Sequence, residues 1–363
     1  MIENGGGNLL EKITTRHLKI RTERSSELAA ACDITQSGLT IEFYDLAMNR
    51  VFAKSAVFGT EIGAKTSKEL LARLLVTACR EHGIPASAIK SVGVAADVHI
   101  AEYLAGELSA ADLYLSPETE LYFPPFISMG ISGRFTASLT TIPEEKFTAA
   151  DFGRTLCIAE NNGKELLCAA FPLAGAFDGS GLESGMPAED GAIETVRRDE
   201  KTLVYEVIGD ADCIGICPCG AAMAADLMHK EGIIDADGIM YDRDLFFIGE
   251  DFYISQADVR AIQSDKARTA SALNLFGSEN GIFLSGEPFS SPDGLKALLH
   301  LGAVPERFSR AAFARNSVLR GIENCLKNAE IREQAEIIAK NARDITDIIL
   351  SDYDENYLKN LAF

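Results

Sequence analysis

Leu173–Ile193 reads LAGAFDGSGLESGMPAEDGAI, the densest run of chemistry-bearing residues in the chain. Gly175, Gly179, Gly181, Gly185 and Gly191 are interleaved there with Asp178 and Glu183. Glycines let backbone N–H groups come close to an anion, and a helix starting beside them adds partial positive charge. One reading is a phosphate cradle whose carboxylates hold Mg²⁺ next to a nucleotide. The other is a glycine-rich connection from strand to helix with solvated carboxylates.

Outward from this run the pattern alternates between strand and helix. Upstream, Thr155–Ala159 and Glu165–Ala170 read as strands, and Asn161-Asn162-Gly163 between them has the residue types of a tight hairpin turn. Downstream, a strand fits Thr202–Ile208, and helices fit Gly220–Gly232, Gln256–Phe276 and Ala311–Lys327. A short strand falls at Gly281–Ser285, and one more helix spans Ala329–Leu350. Nearer the start, Gly38–Tyr44 and Val51–Phe58 form a second hairpin across Asp45–Arg50. Thr66-Ser67-Lys68-Glu69 has the form of a capping box ahead of an amphipathic helix, which Gly83 and Pro85 end. Ser91–Ala96 follows as a short buried strand.

Both halves open with a hairpin and continue into helices, which points to a duplicated α/β unit without a residue-level repeat. The domain reading is an irregular arm over 1–26, containing Gly5–Gly7, then a first lobe over 27–148 and a second over 149–363. No low-complexity linker separates the halves, so they pack around a cleft.

At 363 residues, 47% hydrophobic and 24% charged, the composition is that of a folded globular protein. The 34 Lys+Arg against 54 Asp+Glu leave a net charge of −20, and the basic residues are scattered, which argues against a nucleic-acid binder. The longest stretches without a charge, Leu121–Gly133 and Cys213–Ala225, have 13 residues. A membrane span needs about 20. MIENGGGNLLEK has no basic segment leading into an apolar run, so no secretory signal is visible and the cytoplasm is expected.

Most of the eight cysteines stand singly in apolar runs, as reduced thiols do. Cys213, Cys217 and Cys219 are the exception. With an outside ligand they can hold zinc or an iron–sulfur cluster; otherwise they mark a Gly/Cys-rich turn at the start of a buried helix. No GxSxG, HExxH or GxxxxGK[ST] motif is present, and the five histidines are far apart.

Three segments taken in order resemble one family. They are LAGAFDGSGLESGMPAEDGAI, VIGDADCIGICPCGAAMAADLMHKEGIID and ISQADVRAIQSDKA, and the end of the chain, ARDITDIILSDYDENYLKNLAF, is similar to the same family's last helix and tail. The family is the reductive activators of corrinoid proteins, whose ATPase part has the acetate-kinase/sugar-kinase/Hsp70/actin (ASKHA) architecture. Ala174-Gly175, Phe177-Asp178-Gly179, Gly185-Met186 and Gly191-Ala192-Ile193 match its first motif. Gly215-Ile216-Cys217, Gly220 and Gly232–Asp235 match the second, and Gln263 with Lys266 the third.

The resemblance implies an α/β, bilobal actin-like fold with two related mixed-sheet lobes around a cleft. It also implies ATP hydrolysis that drives one-electron reduction of a Co(II) corrinoid on a partner methyltransferase protein, with electrons from an attached iron–sulfur domain. The family's phosphate motifs look like DIGTT in the first half and DIGTNGE in the second. Here Asp33-Ile34-Thr35 keeps the first aspartate but has Thr35 in place of glycine, and the second aspartate is read at Ala159 with Asn162 at the threonine position. The adenosine-side GxFG reads Ser285-Gly286-Glu287-Pro288-Phe289, where Glu-Pro obstructs the base. Only Cys32 precedes Cys79, so no Cys₄ cluster and no iron–sulfur cofactor is expected.

The expectation is a degenerate ATPase-fold accessory protein of corrinoid-dependent methyl transfer, docking a corrinoid protein or methyltransferase and hydrolysing ATP weakly or not at all. The alternative is a non-catalytic sensor of a nucleotide or small metabolite. If ATP with Mg²⁺ binds, Asp33, Asn161, Asn162, Gly163, Gly175, Asp178, Gly179 and Lys266 are expected to line its site. No catalytic residue and no metal ligand is assigned.

Overall fold

A computed structural model describes residues 12–16, 27–36, 38–45, 49–57, 62–209, 211–241, 243–277, 281–314 and 316–363. Gly5–Gly7, Ser37, Phe58 and turn residues 46–48 lie outside the described residues.

The chain begins with β1 (Lys12–Arg16), β2 (Leu28–Ile34), β3 (Gly38–Asp45) and β4 (Arg50–Val57), then α1 (Ala64–His82) and β5 (Ile89–Ala96). After α2 (Val98–Glu107), β6 (Glu120–Tyr122) completes a six-stranded sheet in the order β1-β4-β3-β2-β5-β6. Two expectations change here. Lys12–Arg16, within the stretch read as an irregular arm, pairs antiparallel with β4. β2 is a strand in addition to those expected, and Asp33 lies inside it. Its sequence, LAAACDI, is rich in alanine and reads poorly as a strand. Sandwiched between β3 and the parallel β5, however, it is buried along almost its whole length, where burial outweighs intrinsic preference.

α1 starts at Ala64 with Gly63 as its N-cap, ahead of the expected capping box. Ser67 lies within the helix, and its hydroxyl donates to the Gly63 carbonyl at 3.1 Å. The far end follows the sequence reading: Gly83 has φ 65° and its N–H bonds the Arg80 and Cys79 carbonyls.

After α3 (Gly133–Leu139), the second sheet opens with β7 (Phe147–Phe152), β8 (Thr155–Asn161) and β9 (Leu166–Pro172). The chain then leaves the sheet through the hairpin β10 (Ala192–Asp199) and β11 (Thr202–Val207), the short β12 (Gly215–Ile216) and α4 (Pro218–Lys230). The small ribbon β13 (Leu245–Phe247) and β14 (Tyr253–Ser255) leads into α5 (Gln256–Leu275). β15 (Gly281–Gly286) returns to the sheet, followed by α6 (Pro292–His300) and β16 (Ala312–Phe313). The remainder is α7 (Ser317–Lys327), α8 (Ala329–Asn341), β17 (Ala342–Asp344) and α9 (Thr346–Lys359).

The second sheet runs β16-β15-β7-β8-β9-β17. Set beside the first, β7 corresponds to β2, β8 to β3, β9 to β4 and β15 to β5: two antiparallel partners on one side and a parallel one on the other. The duplication is in the topology.

Two expected helices are interrupted. Ala311–Lys327 begins as the edge strand β16, with α7 starting at Ser317. Ala329–Leu350 is broken at Ala342–Asp344, which pairs parallel with β9. The polar, helix-compatible sequence there conceals a strand that forms only because an edge of the sheet is available to it.

Helix placement fixes the cleft. α1 and α2 cover one face of the first sheet, with Leu71, Leu75, Ile100 and Leu104 in its core. The other face receives α7, whose Val318, Leu319 and Ile322 pack with Ala31, Ala95 and Ala137. α3 is wedged between the sheets: Ala137 joins that cluster, whereas Phe135 and Leu139 pack against Ala149, Ala159 and Cys168 of the second sheet. Among the described residues no helix is long and apolar enough to cross a membrane.

Candidate functional site

The ends of β2 and β7 face each other across a cleft of about 410 Å³. Asp33 is the penultimate residue of β2 and Asp151 the penultimate residue of β7, so the two carboxylates are equivalent positions of the two sheets. The second phosphate-type turn is therefore Asp151-Phe152-Gly153-Arg154-Thr155, joining β7 to β8, and has the Asp-x-Gly-x-Thr pattern. This corrects the reading that put the aspartate position at Ala159 and found it lost. Ala159 is buried in mid-strand opposite Cys168.

Arg134, brought in by α3, stands among these carboxylates. Its Nε donates to Asp33 Oδ1 at 2.6 Å, its Nη2 to Asp33 Oδ2 at 3.1 Å and its Nη1 to Asp97 Oδ1 at 3.3 Å. Asp97 follows β5 directly and also accepts the Gln36 N–H at 3.0 Å. Asp151 accepts from Ser285 Oγ at 2.5 Å. Burial alone would lower the Arg134 pKa, but Asp33 and Asp97 outweigh it and hold the guanidinium charged. Burial pushes Asp97 and Asp151 above the usual carboxylate range, with Arg134 opposing the shift at both.

On the opposite wall, Glu287 follows β15 directly, as Asp97 follows β5. It is half-buried and lines the cleft, its Oε2 accepting the Ala188 N–H at 2.5 Å, and burial pushes its pKa up to about 7. The loop carrying Ala188 also reaches the first lobe, where Ser55 Oγ on β4 donates to Glu189 Oε1 at 3.2 Å.

The glycine-rich run forms a folded loop beside the cleft. Gly175 and Gly179 have φ of 98° and 81°, and a Cβ at either would meet neighbours at 2.4–2.5 Å, namely Arg154 Nη1 and the Met186 carbonyl oxygen. Asp265 of α5 holds the loop from behind, accepting the N–H groups of Ala174, Ala176 (2.8 Å) and Phe177 (3.3 Å). Those three N–H groups are thus committed to a carboxylate of the protein rather than to an anion. Asp178 lines the cleft and accepts both the N–H (2.9 Å) and the hydroxyl (2.5 Å) of Ser180.

Of the residues singled out from sequence, Asp33 and Asp178 line the cleft, and Gly175 and Gly179 shape the loop that carries Asp178. The others lie elsewhere. Asn161, Asn162 and Gly163 form a tight turn, Gly163 with φ 86° and its N–H bonded to Asn161 Oδ1 at 2.9 Å. That turn is at the far end of β8, about 14 Å along the strand from Cys157, which is paired with Asp151. Lys266 is buried on α5, where its Nζ donates to the carbonyls of Asn360 (2.8 Å) and Ala362 and so ties down the end of the chain. Arg134, Asp97 and Asp151 were missed, and Glu287 was read only as an obstruction to the base. Only Asp151 carried a local signal, the Asp-x-Gly-x-Thr spacing.

Cys217 is the N-cap of α4 and Cys219 its second residue, both buried, and burial pushes the Cys219 thiol up to about 11. Among the described residues no group of three His, Cys, Asp or Glu side chains is arranged to hold a metal ion.

Two six-stranded sheets of matching order, each presenting an aspartate to a shared cleft, define the ASKHA class of actin-like folds. The chain belongs to the family of the C-terminal ASKHA domain of RACo, whose model matches residues 148–363. It is similar to a corrinoid activation enzyme of Eubacterium limosum, RamQ, with 28% identity over 199 residues, 47% of this chain and 34% of that protein. The chain thus matches about a third of the length of that relative. The structure of a reductive activator for corrinoid, iron–sulfur protein superposes with a TM-score of 0.80 at 18% identity, covering 94% of this chain and 67% of the other.

The ASKHA class raises the fit of a magnesium-bound nucleotide. A magnesium ion at Asp33 would sit against the Arg134 guanidinium, which already spans both carboxylate oxygens, so two cations compete for one carboxylate. Glu287 adds another carboxylate to the opposite wall, where it repels the phosphates of a nucleotide. The residues as arranged do not fit a magnesium nucleotide.

Proposed function

We propose that this chain is an ATPase-fold accessory protein of corrinoid activation, docking a corrinoid-binding or methyltransferase protein while turning over ATP weakly or not at all. In this proposal 27–148 and 149–363 are the two lobes, with α7 crossing back to cover the first sheet. Membership of the RACo ASKHA family and similarity to a corrinoid activation enzyme support the biological setting. The observation that carries the loss of turnover is the two-pronged Arg134–Asp33 pair, which occupies the aspartate a phosphoryl-transfer site would use to manage its cation.

Two measurements test it. Steady-state ATP hydrolysis with Mg²⁺ is expected well below about 1 s⁻¹, the low end of ordinary enzyme turnover, and a rate at or above it overturns the degenerate reading. Binding to purified corrinoid protein at low and moderate salt is expected to weaken with salt, since a chain of net charge −20 is steered toward basic patches. Absence of binding at micromolar concentration removes the docking role. The second reading, a sensor of a nucleotide or small metabolite, is favoured by the cleft itself, whose 410 Å³ falls in the range of small-ligand pockets.

A further inference from the structure

We propose that the guanidinium of Arg134 stands in for a divalent cation at the floor of the cleft, so that the site works without a metal ion of its own. Asp33 and Asp97 are both bonded by Arg134, and Asp151, at the position of the second sheet equivalent to Asp33, lines the same cleft. Carboxylates brought together this way repel unless a cation lies among them. A hard divalent ion with oxygen ligands is one solution. A guanidinium is another, because it is permanently charged and its fork matches a carboxylate edge.

The geometry is that of the second solution. Nε and Nη2 take both oxygens of Asp33, at 2.6 and 3.1 Å, and Nη1 reaches Asp97 at 3.3 Å. The arginine side chain is 16% exposed, so the pair is largely shielded from water. Its backbone is held firmly as well. Ser132 caps α3 by accepting the Arg134 N–H at 3.3 Å, and Phe135 packs in the core directly after it. The helix is wedged between both sheets, which sets the charge in position before any ligand arrives.

The proposal goes beyond the docking role and holds whatever the partner is. Manganese(II), followed by the loss of its free-ion EPR signal, is the probe. Wild type and Asp33→Asn are expected to bind Mn²⁺ alike, since Asp33 is already neutralised. Arg134→Gln is expected to gain a Mn²⁺ site, with affinity at least about tenfold above any wild-type binding, and Arg134→Gln/Asp33→Asn to lose it. A Mn²⁺ ion bound by wild type and lost in Asp33→Asn overturns the proposal. So does an Arg134→Gln protein that is folded by circular dichroism yet gains no site. Should Arg134→Gln not fold, the comparison of wild type with Asp33→Asn decides alone. Failure of the corrinoid protein to bind changes none of these outcomes.

Discussion

Ile322 of α7 lies directly on Gly93 of β5, its Cγ2 2.2 Å from the point where a side chain at residue 93 would place its Cβ. One residue earlier on α7, Gly321 meets the Ala137 carbonyl of α3 at 1.9 Å from its own virtual Cβ. Two glycines thus allow a helix late in the chain to seat on the first sheet and on the helix that carries Arg134.

Gly93→Ala is therefore expected to destabilise the fold by about 1–3 kcal/mol through overpacking, with Ile322→Ala in the same chain recovering part of the loss. Gly321→Ala is expected to cost more, because it meets backbone rather than a movable side chain. Urea denaturation midpoints at constant slope are the measurement.

Asp265→Ala is expected to loosen the glycine-rich loop by leaving the N–H groups of Ala174, Ala176 and Phe177 without their acceptor. A loss of about 1–3 kcal/mol is expected for such buried donors. Hydrogen exchange across 174–177 should accelerate, and unchanged protection there would refute the role.

Glu287 gives a signed pH dependence. Burial raises its pKa from 4.5 to about 7, so between those values the folded chain keeps a proton that the unfolded chain has released. Its contribution to stability consequently falls as pH rises through that window. Glu287→Gln is expected to remove this contribution, so its thermal midpoint should gain on wild type from pH 5 to pH 7. A constant difference would refute the assignment.

Lys266→Ala is expected to release the end of the chain. Exchange at residues 360–363 should speed up, since Lys266 Nζ holds the Asn360 and Ala362 carbonyls. ADP titration should be indistinguishable from wild type, and weakened binding would return Lys266 to the cleft.

Features that depend on near neighbours were legible from the residues. Asn161 and Gly163 make their turn through a side-chain oxygen two residues away, and Gly83 ends α1 by adopting a conformation other residues resist. The glycine-rich run declared itself by composition, and the ASKHA fold through motifs matched over a limited span. Strands β2 and β17 were not legible, because LAAACDI and Ala-Arg-Asp become strands only when a partner edge is present.

The sequence by itself determined the Asn161–Gly163 turn and the glycine stop after α1, whose hydrogen bonds close within a few residues. It marked the glycine loop by composition, although Asp265, 89 positions from Ala176, holds that loop in place. Only the tertiary structure decided which acids share the cleft and what cation they face. Asp33 and Arg134 are 101 positions apart and Ser285 is 134 from Asp151, so each contact exists only once β2, β7 and β15 are in register and α3 is wedged between the sheets. Charge and burial at the site follow from that convergence, since a carboxylate's partner is set by distance in space and not by spacing along the chain.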